Sequence, residues 1–167
     1  MIESSSLIPL QQQFTGKRIQ PYPPFSSIRV KGKALFWWAL NGRLSEIEIP
    51  TTEIEIKQLR LIESINLSSS TLHQMITQRI NSLDPTCKGK FREAEILDRW
   101  HQILVDTPHV KDLSFLVASF EASVTSGTYI RTLAHQMGEA LGVGAIAMDI
   151  KRTKLDQFDL DCVYKID

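Results

Sequence analysis

The residues best suited to chemistry lie in one short stretch, Ser126-Gly127-Thr128-Tyr129-Ile130-Arg131-Thr132-Leu133. This stretch follows a strand-like run and opens a helix-like run, so Tyr129 and Arg131 fall in the first helical turn. An arginine guanidinium at such a position can hold a carboxylate or a phosphate through two parallel hydrogen bonds. The stretch therefore predicts a site that binds an anionic group.

Strand-like and helix-like segments alternate around this stretch and must hold it in place. Period-two or continuous apolar runs predict strands, whereas apolar residues three and four apart predict helices. The predicted helices cover 71–82, 91–105 and 128–141, and the predicted strands cover 47–62, 113–124, 145–153 and 158–163. This mixed order predicts an α+β fold.

Composition and charge limit the class of protein. The 167 residues are 43% hydrophobic, which suits one globular domain with an apolar core. The formal net charge is zero, so binding of nucleic acid would depend on local basic patches. Two such groups stand out: Arg29, Lys31 and Lys33, and Lys151, Arg152 and Lys154. Each group is either a phosphate-binding patch or a solvated surface.

The cysteine and histidine positions argue against a metal site or a disulfide framework. Cys87 and Cys162 are far apart and lack CxxC spacing, which favours a reducing, cytoplasmic location. The N-terminus has no signal-peptide pattern, and no apolar run approaches the roughly 20 residues that a membrane span needs. The four histidines lack ligand spacing and are interpreted as structural: His73, His101, His109 and His135. We therefore expect no metal site and no membrane contact.

Two ordered blocks of sequence resemble the TruB-type tRNA pseudouridine-55 synthases. The first block, Phe14-Thr15-Gly16 through Gln20 and Pro23-Pro24 to Phe36, looks like the family's F-T-G…Q…P-P…Y-S-A…K-V…G-K…Y stretch. The second block combines 126–134, 138–145 and Lys151-Arg152-Thr153. The resemblance implies part of a pseudouridine synthase fold, with a mixed, mainly antiparallel sheet flanked by helices.

The resemblance also implies a domain organisation. Residues 14–167 correspond to a partial pseudouridine synthase domain, in which 64–112 looks like a helical insertion. Residues 1–13 read as a loose N-terminal arm. The RNA-binding PUA domain that many relatives carry after this core is expected to be absent.

Departures from the family pattern concern the catalytic carboxylate. The family's aspartate lies in a G-x-G-T-L-D-P-x-A-T-G motif ahead of the P-P block, together with a base-stacking tyrosine, and we expect both outside this sequence. Leu83-Asp84-Pro85 reproduces L-D-P, but it lacks the preceding glycines and threonine and follows the P-P block. Because Asp-Pro is a common turn signal, Asp84 is interpreted as a turn residue.

The chemistry that the resemblance implies is isomerisation of a uridine in the T-arm of tRNA, without metal, cofactor or energy source. The base is flipped into a pocket, an aspartate attacks, the glycosidic bond breaks, and the rotated uracil rejoins through carbon 5. Arg131 matches the arginine that pairs with that aspartate, and Tyr129 matches a pocket tyrosine. Ile150 aligns with an apolar residue under the base. The alternatives are a carbonyl-capping arginine, a core tyrosine and a core strand residue.

Basic and aromatic residues are the candidates for contact with RNA. Lys151 and Arg152 match basic residues near RNA phosphates, and Arg29, Lys31 and Lys33 are assigned the same role, with solvated surface as the alternative. The adjacent aromatic residues Phe36, Trp37 and Trp38 are predicted to pack in the core rather than stack on bases.

Three functional hypotheses follow. The chain is part of a synthase whose aspartate comes from a separate chain, a tRNA-binding module without catalysis, or a truncated remnant. The first hypothesis predicts that the chain alone forms no pseudouridine.

Overall fold

The computed structural model describes residues 2–84, 86, 89–110, 113–156 and 158–159. The helices are α1 (Ile8–Phe14), α2 (Leu35–Leu40), α3 (Ser69–Asn81), α4 (Glu93–His101) and α5 (Ile130–Ala140), with 3-10 turns at Ser4–Leu7 and Leu44–Glu46 and a π-helical turn at Gln102–Asp106. The strands are β1 (Gly16–Pro21), β2 (Arg29–Val30), β3 (Lys33–Ala34), β4 (Thr51–Ser68), β5 (Ser114–Val124), β6 (Lys154–Leu155) and β7 (Phe158–Asp159).

The sheets confirm a mixed α+β, mainly antiparallel architecture. Three strands form one sheet in the order β1-β4-β5, and two small sheets pair β2 with β3 and β6 with β7. The β1–β4, β2–β3 and β6–β7 pairs are all antiparallel. No helix among the described residues is long and apolar enough to cross a membrane.

The chain divides into two compact units. The first combines Met1–Gln13 with Leu59–Ala122, and the second combines Phe14–Gln58 with Ser123–Asp167. The predicted insertion at 64–112 lies inside the first unit, where its opening residues to Ser68 continue β4 and α3 follows. Cys87, Cys162 and 160–163 of the predicted closing strand lie outside the described residues.

In the first unit the prediction of a loose arm over residues 1–13 is wrong. The segment forms a 3-10 turn and then α1, with Leu7 and Leu10 buried. Gln11 accepts a hydrogen bond at its Oε1 from the Leu61 N–H at 2.9 Å, which fixes the helix on β4. The arm is ordered because its leucines recur at helical spacing and bury an apolar stripe.

The helices after β4 agree with the sequence prediction in type and differ at their ends. Ser68 caps α3 by accepting from the Thr71 N–H at 3.2 Å, as its serine run predicts. Leu72 and Ile76 of α3 are buried. The second predicted helix starts later, because Arg92 adopts a left-handed conformation with φ 59° before α4.

In the second unit β1 pairs with the first part of β4. Gly16 lies opposite Ile56, and Pro21 lies opposite Thr51. Because opposed residues share a face of the sheet, this register puts Gln20 on the same buried face as Ile54 and Ile56. A glutamine therefore occupies a place where an apolar side chain would be expected.

Two other segments of the second unit also depart from the sequence prediction. Trp38 is buried and its indole N–H donates to the Val30 carbonyl at 3.1 Å, whereas Phe36 is exposed, so the core prediction is wrong for Phe36. The predicted strand 145–153 is irregular backbone, and the short strand β6 (Lys154–Leu155) begins directly after it. Its apolar residues Ile146 and Ile150 are exposed, so the apolar spacing does not arise from burial in a sheet.

Candidate active site at the start of helix α5

The turn before α5 is anchored to β4. The Thr125 N–H donates to the Glu55 carbonyl at 2.9 Å, and the Glu55 N–H donates to Thr125 Oγ1 at 2.9 Å. Gly127 follows with φ +85°, a conformation that L side chains rarely adopt. These contacts set the direction in which the chain enters α5.

The backbone of Tyr129, just before α5, is held by a buried glutamine of β1. Gln20 has 0% relative exposure. Its Oε1 accepts from the Tyr129 N–H at 2.8 Å, and its Nε2–H donates to the Tyr129 carbonyl at 3.2 Å. Tyr129 keeps an extended backbone as a result, which explains why α5 begins at Ile130 rather than at the predicted residue 128.

A cavity of about 350 Å³ opens at this helix start. Its lining consists of Gly127, Thr128, Tyr129, Ile130, Arg131, Ile150 and Arg152. The structure therefore brings four of the residues singled out from the sequence, Tyr129, Arg131, Ile150 and Arg152, around one cavity. The roles assigned to them from the resemblance stay predictions.

Arg131 reaches the cavity from the first turn of α5 with an exposed side chain. Its Nη2–H donates to the Phe25 carbonyl at 3.4 Å. This contact is the carbonyl cap that sequence reasoning gave as the alternative, but its length marks it as weak. Within the described residues Arg131 forms no ion pair with a carboxylate, and the contact uses one of the five guanidinium donors.

The aromatic side of the cavity is ordered by a ring pair. Tyr22 and Tyr129 meet edge to face, with ring centroids 5.5 Å apart and planes at 77°. Such a pair stabilises one ring orientation by roughly 0.5–1.5 kcal/mol beyond the apolar burial. The Tyr129 side chain is thus held from the segment that follows Gln20.

The segment after α5 supplies the other side of the cavity. Ile150 is 50% exposed, so the alternative of a core strand residue is wrong for it. Gly138 of α5 allows this segment to return closely, because a Cβ on it would lie 2.6 Å from both the Cβ and the backbone nitrogen of Ala145. Lys151 is exposed and lies outside the cavity lining.

The basic group of Arg29, Lys31 and Lys33 lies on the β2–β3 hairpin, outside the cavity lining. Lys31 and Gly32 have φ of 49° and 79° and form its two-residue turn. Lys31 donates to the Glu46 carbonyl at 3.1 Å, and the Lys33 Nζ lies 3.4 Å from the centre of the Trp37 ring. A cation over an indole face is stabilised by roughly 0.5–2 kcal/mol.

The remaining candidates show no catalytic arrangement. Asp84 Oδ1 accepts from the Thr86 N–H at 2.7 Å and from its hydroxyl at 2.6 Å, a local turn that lowers the pKa of the Asp84 carboxyl. His73 and His101 meet edge to face at 5.3 Å. Among the described residues, no three His, Cys, Asp or Glu side chains are arranged to hold a metal ion.

Sequence reasoning missed Gln20 and Gly138 as residues of this site. Gln20 belongs to the first resembling block, and its place in a strand beside buried isoleucines was a signal, since a polar side chain there needs partners. Gly138 sits inside a helical pattern, where glycine weakens the helix unless another chain approaches closely.

Comparison with known proteins finds similarity to proteins that share one name. The chain matches no protein-family model. It is 28% identical over 160 residues to the tRNA pseudouridine synthase B of Geobacter sulfurreducens, covering 96% of this chain and 36% of the relative. The Deinococcus deserti protein of the same name is 29% identical over 148 residues (88% and 42%), and that of Aquifex aeolicus is 23% identical over 149 residues (89% and 35%).

The chain spans about a third to two fifths of the length of these curated relatives. The similarity extends over nearly all of the chain rather than over the motifs alone. The chain is therefore similar, over nearly all of its length, to part of the proteins named tRNA pseudouridine synthase B.

Proposed function

We propose that this chain forms the arginine-bearing part of a tRNA pseudouridine synthase active site, which isomerises a uridine in the T-arm of tRNA. The observation that carries the proposal is the cavity that unites Tyr129, Arg131 and Ile150. Relatives bearing the name tRNA pseudouridine synthase B support it. The expected cytoplasmic location stays a prediction.

The cavity suits one flipped base. Its volume of about 350 Å³ is at the small end of ligand pockets. In the proposed arrangement Ile150 supplies an apolar floor for the uracil ring, and Tyr129 borders the ring from the opposite chain segment. Taking the base out of its stack is required because the glycosidic carbon is not accessible inside a folded arm.

Arg131 is proposed to hold the nucleophilic aspartate ionised. A guanidinium within about 4–6 Å lowers the pKa of a carboxyl by roughly 1–3 units. Its planar donors also fix the orientation of the carboxylate. In this proposal the aspartate comes from sequence outside residues 1–167, in the same polypeptide or in a separate chain, and displaces the Phe25 carbonyl from Arg131.

The isomerisation balances without a cofactor. One carbon–nitrogen bond breaks and one carbon–carbon bond forms at carbon 5, while carbon 5 loses its proton to water and the freed ring nitrogen gains one, with no net oxidation. Arg152 at the cavity rim and exposed Lys151 are proposed to contact RNA phosphates, as are Arg29, Lys31 and Lys33 of the hairpin.

The test measures tritium release from tRNA labelled at carbon 5 of uridine. The purified chain is assayed alone and mixed with the aspartate-bearing segment of a relative, and activity is expected only in the mixture. Arg131→Lys should abolish most of that activity, since a lysine cannot orient a carboxylate with two parallel bonds. Arg60→Lys is the matched control, because Arg60 is an exposed arginine already paired with Glu121 at 2.5 Å.

Two outcomes would contradict the proposal. Activity of the chain alone would return Asp84 to consideration as the nucleophile. An inactive mixture with Arg131 intact would refute assembly of the enzyme from these two parts.

A further inference from the structure

We infer that Gln20 is a positioning residue of the active site, acting through the backbone of Tyr129. The expected effect of Gln20 on catalysis rests on the proposed function. Its structural part, the fixing of Tyr129, stands on the hydrogen bonds of Gln20 alone.

Burial is the first argument. Gln20 is fully buried on the same face of the sheet as Ile54 and Ile56, where an apolar residue would pack at no polar cost. A buried amide is unfavourable unless it is hydrogen-bonded. Both ends of the Gln20 amide are bonded to one residue, Tyr129.

Geometry is the second argument. The two hydrogen bonds, at 2.8 and 3.2 Å, engage the N–H and the carbonyl of the same residue, as a neighbouring strand would. They therefore fix both the position and the rotation of the Tyr129 peptide groups. Because Arg131 follows two residues later, the same contact sets where its side chain leaves α5.

Convergence of one segment on the site is the third argument. Gln20 holds the Tyr129 backbone, Tyr22 meets the Tyr129 ring at 5.5 Å, and the Phe25 carbonyl accepts from Arg131. Residues 20–25 thus contact two residues of the cavity lining, Tyr129 just before α5 and Arg131 in its first turn. A role in positioning explains these contacts together, whereas a role in packing would leave the choice of glutamine unexplained.

The primary variant is Gln20→Met, which keeps the length of the side chain and removes both hydrogen bonds. In the active mixture its kcat should fall on the order of tenfold to a hundredfold, while KM for tRNA changes less than about threefold. Gln20→Asn is the second variant, in case the first fails to fold. Its amide is one methylene shorter and cannot span both Tyr129 atoms, so kcat should fall in the same direction.

The matched control is Ile56→Val, at a fully buried residue of the same sheet face whose aliphatic side chain cannot hydrogen-bond the Tyr129 backbone. It should destabilise the chain while leaving kcat within about twofold. If the glutamine variants lose no more kcat than Ile56→Val does at a similar loss of stability, the role of Gln20 is structural and the inference is wrong.

A readout independent of activity separates this inference from the proposed function. Amide hydrogen exchange of Tyr129, measured by NMR on the chain alone, should accelerate at least about tenfold in Gln20→Met and remain slow in Ile56→Val. An inactive mixture with this exchange pattern would overturn the proposed function and retain the positioning role. Unchanged exchange in Gln20→Met would overturn the positioning role whatever the activity.

Discussion

Replacing Gly138 by alanine should destabilise the chain and displace the segment that carries Ile150. A Cβ at this position would lie 2.6 Å from both the Cβ and the backbone nitrogen of Ala145. Carbon atoms in contact prefer about 3.5–4.0 Å, so the neighbouring backbone must move by roughly 1 Å. A backbone nitrogen cannot rotate away as the end of a long side chain can.

Two opposing effects set the magnitude. Alanine in a helix interior is favoured over glycine by about 0.8–1.0 kcal/mol. Overpacking at a close contact costs about 1–3 kcal/mol. At the middle of these ranges the clash exceeds the propensity gain by about 1 kcal/mol, which corresponds to a fall in Tm of about 2–4 °C for a chain of this size.

Thermal and urea unfolding, followed by circular dichroism, measure this effect. Gly144→Ala is the matched control, since a Cβ there meets nothing within 4 Å, and its stability should change by less than about 0.5 kcal/mol. A Gly138→Ala variant more stable than the unmodified chain by about 0.8–1.0 kcal/mol would refute the argument from close approach, because the helix gain would then be uncompensated.

Two further predictions concern charge. Lys151→Ala and Arg152→Ala should each weaken binding of a T-arm RNA and lower the salt slope of log K by about 0.9 or less, because each removes one proposed phosphate contact; filter binding across a salt series measures this. Thr86→Val should raise the pKa of the Asp84 carboxyl toward its ordinary value, since the hydroxyl donor is removed, and carboxyl NMR titration measures it. Because the folded-state pKa of Asp84 is depressed, its contribution to stability is present above the unfolded pKa and is lost as pH falls through the folded pKa.

Controls make these two predictions refutable. Arg99→Ala, an exposed arginine of α4 outside the proposed RNA contacts, should leave the salt slope unchanged. An equal change in the slope for this control would assign the effect to overall charge rather than to the cavity rim. An Asp84 pKa that stays depressed in Thr86→Val would assign the shift to the Thr86 backbone N–H alone.

The sequence was sufficient to predict the elements that carry a strong local signal. The serine run predicted the cap of α3, and Ser68 forms it. The alternation of isoleucine and glutamate predicted β4, and Ile54 and Ile56 are buried there. Both signals act over a few residues, so no distant contact is needed to interpret them.

Elements set by distant contacts could not be predicted in the same way. The start of α5 depends on Gln20, 109 residues earlier in the chain. The apolar residues of 145–153 suggested a strand, but the segment is irregular and its first residue, Ala145, lies against Gly138 of α5. The N-terminal helix was predictable in principle, since Leu7, Leu10 and Phe14 are helically spaced and Pro9 suits a first turn.

The pairing of β4 with β5 bears on how the chain tolerates the helices between them. Arg60 hydrogen-bonds Glu121, and Ser119 hydrogen-bonds Glu63, so β4 and β5 are antiparallel. The end of β4 at Ser68 therefore lies near the start of β5 at Ser114. The intervening segment thus occupies the place of a hairpin loop. Lengthening such a loop about tenfold costs only about 2 kcal/mol in closure entropy, because the cost grows with the logarithm of length. The packing of α3 and α4 can offset that amount, so a whole helical pair can be gained or lost there without shifting the register of the two strands.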